Sequence, residues 1–244
     1  MEYVYHGSST KGLKELSPHV STHGNYLYAA QDKRIAIVFS KRCGDDLVYS
    51  FGQVNRDGYD LVERMPGVLE KMFSNDSSIY TLPADNFKDL KTGFKEVLST
   101  ESAPVLNEEY IPNVFDAVKK LEEEGFLRIY RYPNRPEWIP EDDSDLVQKI
   151  VRHSARTNEP LTKNTFNRLV FLHPDLMDKV NECLIASGVD DLFSEDDISR
   201  LMEMYRMRSI ENPKGEYYIS NALELMKIKC PEYLKLFGDE NKQL

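Results

Sequence analysis

Cysteine is scarce in this chain. Cys43, Cys183 and Cys230 lie far apart and form no C-x-x-C pair, so neither a disulfide framework nor a zinc site is expected. That usage suits a reducing cytoplasm. Long hydrophobic runs are missing as well, and the first residues open on a strand-like run with Glu2 in place of a basic and apolar leader. A cytoplasmic protein with no membrane partner is therefore expected. Positive charge is the third shortage: Lys and Arg number 31 against 41 Asp and Glu, a net charge of -10. Phosphate binding draws its affinity from clustered cations, so nucleic acid is not expected as the primary partner. The one run where basic and aromatic residues interleave, 128–135, reads as a strand and its exit loop with solvated arginines. There is no G-x-x-x-x-G-K-[ST] loop, internal repeat or low-complexity tract.

What remains is ordinary soluble composition, 41% hydrophobic and 30% charged over 244 residues, enough chain for one large domain or two modest ones. Residues 1–139 mix short aromatic and β-branched runs with few long periodic segments. Strands are expected at 3–8, 24–30, 46–54, 59–64, 78–82 and 96–99, with a hairpin turn at Arg56-Asp57-Gly58 and an edge segment at 103–106. A short helix is expected over 31–40. A second runs from Pro112, with Val114, Ala117, Val118 and Leu121 on one face and Gly125 as its stop. Glu122-Glu123-Glu124 is more often a solvated helix end than a metal cluster, since three successive residues do not share a face. The segment 132–143, with three prolines and an acidic end, marks the boundary. From 140 to 244 the periodicity is helical throughout, and Ser194 with Asp197 reads as a helix start. His153 and His173 have no second histidine at ligand spacing, so no metal is expected. The fold class expected is α+β, with a split β-sheet domain at 1–139 followed by an all-α region at 140–244.

The stretch around which the chain is organised is Tyr3-Val4-Tyr5-His6-Gly7-Ser8, followed by Gly24-Asn25-Tyr26-Leu27-Tyr28-Ala29-Ala30. If the two strands lie side by side, His6 and Tyr28 share the lip of one cleft. These residues, with the short helix after them, resemble the H-Y-E branch of the ADP-ribosyltransferase fold, the diphtheria-toxin-like and poly(ADP-ribose) polymerase-like enzymes. They also resemble small bacterial proteins with a "YHGS" start. The likeness covers the N-terminal half only. It implies that NAD is the substrate, with His6, Gly7, Ser8, Tyr28 and Phe39 around it. His6 would bond the adenine-side ribose, the Gly7 backbone would hold the nicotinamide carboxamide, and Tyr28 and Phe39 would face the two sides of the nicotinamide ring. A glutamate would stabilise the positive charge that develops as the glycosidic bond breaks. Glu96 follows the strand pattern best, Glu101 comes next, and Glu108 and Glu109 stay open. Ala36 stands where many polymerase-like members carry a carboxamide-binding serine.

The function expected is an NAD-dependent transfer of ADP-ribose, with the helical half offered to a protein target. One alternative is a binding module of the same fold without transfer activity. Another is a toxin-like RNA-cleaving enzyme using His6, His19 and His23 as acid and base.

Overall fold

The computed structural model describes residues 2–21, 24–41, 46–55, 58–91, 94–211 and 222–233. The expected hairpin turn falls on Arg56 and Asp57, outside the described residues, as do Cys43 and His23. The protein is α+β. It divides into two compact units, Met1–Gly44 with Phe51–Leu61 and Leu69–Ile129, and Asp45–Ser50 with Val62–Val68 and Tyr130–Leu244. The cut therefore falls before 139, and two short N-terminal segments join the second unit. The reason is burial: Ile139 is 3% exposed and Asp143 fully buried. The proline-rich stretch that reads as a boundary belongs to the second unit and sends Pro136, Ile139 and Asp143 into its core, while most of its other residues are exposed.

In the first unit the strands are β1 (Tyr3–Ser8), β2 (Glu15–Leu16), β3 (His19–Ser21) and β4 (Gly24–Ala30), followed by helix α1 (Lys33–Phe39). Next come β5 (Tyr49–Asn55), β6 (Gly58–Glu63), α2 (Val68–Phe73), β7 (Ser77–Pro83), β8 (Lys88–Asp89) and β9 (Glu96–Ser99). The unit closes with β10 (Ala103–Pro104), β11 (Asn107–Ile111), α3 (Val114–Glu123) and β12 (Leu127–Tyr130). The main sheet runs β11-β7-β1-β4-β9-β8 with β3 on β4; smaller sheets are β10-β2 and β12-β6-β5.

Strand alternation explains the layers. Val4, Leu27, Ala29, Tyr80, Leu82 and Val97 make one apolar face, closed by Leu16 and Ala103 from the small β10-β2 sheet. Gly7 lies on the other face, against α1. Asp32 caps α1 by accepting from Arg34 N at 3.0 Å, and Ile35, Ala36, Ile37 and Val38 are buried. In α3, Asn113 caps by accepting from Asp116 N at 3.2 Å, and Gly125, at φ +74, ends the helix in the left-handed conformation.

The second unit carries α4 (Asp145–Thr157), α5 (Lys163–Leu172), α6 (Met177–Ala186), α7 (Glu195–Glu211) and a helix α8 over 222–229. A buried ionic cluster ties it together. Arg64 Nη1 donates to Asp143 Oδ1 at 2.8 Å, its Nη2 to Asp145 Oδ2 at 2.6 Å and its Nε to Ser50 Oγ at 2.9 Å. Arg135 and Lys229 reach Asp143 Oδ2 at 3.1 and 2.7 Å. Of the arginines expected to be solvated, Arg135 is instead buried and paired here, while Arg128, in the first unit, stays about half exposed beside Asp60 at 2.7 Å.

His173, fully buried, donates from Nε2 to the Leu47 carbonyl at 2.7 Å. Burial pushes its pKa below the ordinary histidine value, against the pull of Asp143 and Asp175, while Lys229 adds to the lowering. The unfolded chain therefore binds the proton first, and the unit's stability is full above the ordinary pKa near 6.5 and lost as pH falls below it. Urea denaturation at pH 7.5 and 5.5 (about one pH unit either side of that pKa) is expected to show lower stability at the acid value, with a smaller difference in His173→Gln. An equal difference in both proteins would assign the effect elsewhere.

Among the described residues, no helix is long and apolar enough to cross a membrane, and no group of three or more His, Cys, Asp or Glu side chains is placed to hold a metal.

Candidate functional site

The feature that sets the N-terminal unit apart is an interrupted ladder at the centre of its main sheet. Strand β1 pairs with β7 along its whole length, from Tyr3 opposite Pro83 to Ser8 opposite Ser78. With β4 it shares one register pair, Tyr5 opposite Ala30. Beyond that pair a side chain replaces the backbone ladder: His6 Nδ1 lies 2.6 Å from the Tyr28 carbonyl oxygen. A carbonyl only accepts, so Nδ1 carries the proton and Nε2 of the neutral ring keeps a lone pair. Burial lowers the His6 pKa, the Tyr28 carbonyl opposes that, and His19 adds to the lowering. The ring is thus held neutral, in one tautomer, at physiological pH.

His6 and Tyr28 do not share the lip of one cleft as expected: the two strands are neighbours, but the imidazole meets only the Tyr28 backbone carbonyl. The pleat assigns their side chains to different faces. Tyr28 and Ala30 alternate onto the face of Tyr5 and α1, whereas His6 belongs with Val4 and Ala29. The Tyr28 ring stands edge-on to Tyr26, centroids 6.0 Å apart. Glu96, the first residue of β9, pairs with Ala30 and so shares the Tyr28 face, half-buried.

Gly7 is a glycine for a visible reason. A Cβ there would lie 2.5 Å from the Ala36 carbonyl oxygen and 2.6 Å from Ser40 Cβ, inside any real contact. Gly7→Ala is therefore expected to force α1 off the sheet and to cost about 1–3 kcal/mol by overpacking, read as a lowered urea midpoint of the N-terminal unit. An unchanged midpoint would mean that α1 yields freely.

Ser8 Oγ accepts from Thr10 N at 3.1 Å, so its hydroxyl braces the turn out of β1. Phe39, at the end of α1, sits in an aromatic cluster, edge-on to Phe51 at 5.8 Å and to Phe94 at 6.4 Å, with Lys41 over its ring at 5.1 Å. Glu101 falls beyond β9, where its Oε2 accepts from Asn86 at 2.8 Å. Glu109 pairs with Lys33.

Glu108 is the residue whose role the sequence conceals. Across β1, β7 and β11 the register sets His6, Tyr80 and Glu108 in one row. The Glu108 carboxylate accepts from Ser78 Oγ at 2.6 Å, Gly12 N at 3.0 Å and Tyr80 Oη at 3.1 Å. The one Tyr80 hydroxyl proton is shared between Glu108 and the nearer Thr10 carbonyl, at 2.8 Å, while Oη accepts from Leu13 N at 3.3 Å. No sequence spacing announces this network, because its members lie on separate strands and a loop.

Compared with known proteins, the chain matches no family model, no curated protein and no solved structure.

Proposed function

We propose that the N-terminal unit binds NAD at the interrupted β1–β4 ladder and acts as an ADP-ribosyltransferase-like enzyme, breaking the bond between nicotinamide and ribose. The observation that carries this reading is the His6 to Tyr28 contact, which fixes a neutral imidazole where two central strands stop pairing. The imidazole lies on the face opposite the Tyr28 ring, so it serves the site by holding the Tyr28 carbonyl where the β1–β4 ladder opens rather than by touching the ribose. Gly7, whose missing side chain makes room for α1, would meet a carboxamide with its backbone only along the strand edge that β4 leaves unpaired. Tyr28 supplies an aromatic face for the leaving ring, and Glu96, on the neighbouring strand and the same face, places negative charge where an oxocarbenium-like ribose develops. Orientation of the two halves of NAD does the rest. The test is calorimetry of the folded protein with NAD, joined to an assay of nicotinamide release. Saturable binding with release is expected; no binding to folded protein overturns the reading.

A second reading, a module that binds NAD without turning it over, is favoured by one observation. Ala36 is buried against Gly7 and offers no hydroxyl to the carboxamide. Binding without nicotinamide release would select it.

A further inference from the structure

We infer that the helical unit carries a binding site of its own, for a small organic acid: a carboxylate with an N–H donor beside it and an apolar body. The observation behind this is a cleft of about 370 Å³ between α4, α5 and α7, within the size range of small-molecule sites. Its two walls differ in chemistry. Asn164, Asn167 and Arg168 stand at i, i+3 and i+4 and so share one face of α5, opposite the face that buries Phe166, Leu169 and Val170. Ile150 of α4 and Met204 and Tyr205 of α7 form the other wall, with the Tyr205 ring stacked on Phe171, centroids 4.1 Å apart. A molecule seated between them meets polar groups on one side and apolar ones on the other. The polar wall is specific in what it offers. Asn167 Nδ2 donates to Asn164 Oδ1 at 3.1 Å, which leaves the Asn164 nitrogen as a donor and the Asn167 oxygen as an acceptor. Arg168 adds a guanidinium, the cation whose planar fork matches a carboxylate. Asp46 lies 3.7 Å from that guanidinium, but Lys149 holds it more closely, at 2.8 Å, and answers most of its charge. A carboxylate between Arg168 and Asn164, with its neighbouring N–H on the Asn167 oxygen, uses the whole polar wall and lays the apolar body against Tyr205, Met204 and Ile150. Inorganic phosphate fits less well, since it leaves the apolar wall without a partner.

N-acetylphenylalanine has all three parts and is the probe, titrated into the full chain by calorimetry. Saturable binding is expected. N-acetylphenylalaninamide lacks the charge and N-acetylglycine lacks the ring. Each is expected to bind at least about tenfold more weakly, the worth of a hydrogen bond to a charged group or of burying an aromatic side chain. Arg168→Gln removes the cation from a side chain that is 53% exposed, so the fold is kept while affinity for the acid falls by about the same factor. Asn164→Asp keeps the size of the side chain and suits the first turn of α5, where a carboxylate favours a helix. It also sets a like charge against the ligand, so affinity is expected to fall with no loss of stability, which a purely structural role for Asn164 would not produce. Equal affinity for the acid and its amide, unchanged affinity in both variants, or no saturable binding by the folded protein would overturn the site. None of these results bears on the NAD reading, whose residues belong to the other unit.

Discussion

Asp143→Ala is expected to lower the stability of the helical unit by about 3–5 kcal/mol, the cost of breaking a buried ion pair from one side. The Asp143 side chain is fully buried, and it takes Arg64 on one oxygen and Arg135 and Lys229 on the other. Burial works against its charge, yet Lys229, His173 and Arg135 hold its carboxyl below the usual carboxylate range. Once it is removed, Arg64 keeps Asp145 and Lys229 keeps Asp175. The guanidinium of Arg135, 7% exposed, keeps the Glu63 carbonyl and the Tyr132 ring but no carboxylate that balances its charge. Three cations then face one another with less compensating charge around a position that was fully buried. Trp138 is the chain's one tryptophan and belongs to this unit, so urea unfolding followed by its fluorescence reads the effect where it arises. A loss below about 1 kcal/mol, the range of exposed ion pairs, would mean that water or a backbone shift replaces the carboxylate. Asp143→Asn, which keeps an acceptor for one of the cations, is expected to fall between wild type and Asp143→Ala.

That cluster also marks where reading the sequence stops. Arg64 and Asp143 are separated by 79 positions. Nothing near either residue distinguishes a buried partner from a solvated one, and the acidic end of the proline-rich stretch reads as linker. Helices α1 and α3 to α6 are legible because each pairs an apolar stripe with a local start or stop signal, such as Asn113 and Gly125 around α3. Strands β1, β4, β7 and β9 are legible through their aromatic and β-branched runs. In contrast, β11 is Asn-Glu-Glu-Tyr-Ile with a mostly exposed pattern, and it exists because β7 offers it a ladder rather than through any apolar face of its own. For the same reason Glu108 was one open candidate among four. Its strand was invisible, and so was the row it shares with His6 and Tyr80. The adjacency of β1 and β4 is readable from composition and order, but not the register that sets the His6 and Tyr28 side chains on opposite faces, nor the single Tyr5–Ala30 pair that leaves the imidazole bonded to a backbone carbonyl.

Glu96→Gln is expected to reduce nicotinamide release from NAD by about 10²–10³-fold, the usual loss when one preorganised group is taken from the place where charge develops. Position singles out Glu96 among the four candidates. Strand β9 lies directly beside β4, and the Glu96–Ala30 pair puts this carboxylate on the Tyr28 face, one alternation step from that ring. Glu101 lies beyond the strand, and Glu108 and Glu109 lie on β11, the far edge of the sheet. Glutamine keeps the shape and the acceptor oxygen of glutamate and removes only the charge. The ground-state dinucleotide carries no cation at its ribose carbon, so NAD affinity is expected to change less than about threefold while the chemical step slows, the signature of an interaction made in the transition state. Glu109→Gln, on the opposite edge of the sheet, is the control that should leave release unchanged. A fall of the same size in Glu109→Gln, or less than about tenfold in Glu96→Gln where one lost charge contact is worth more, would move the developing charge away from β9. The second reading would then be preferred, since a module that only binds has no use for a carboxylate at that position.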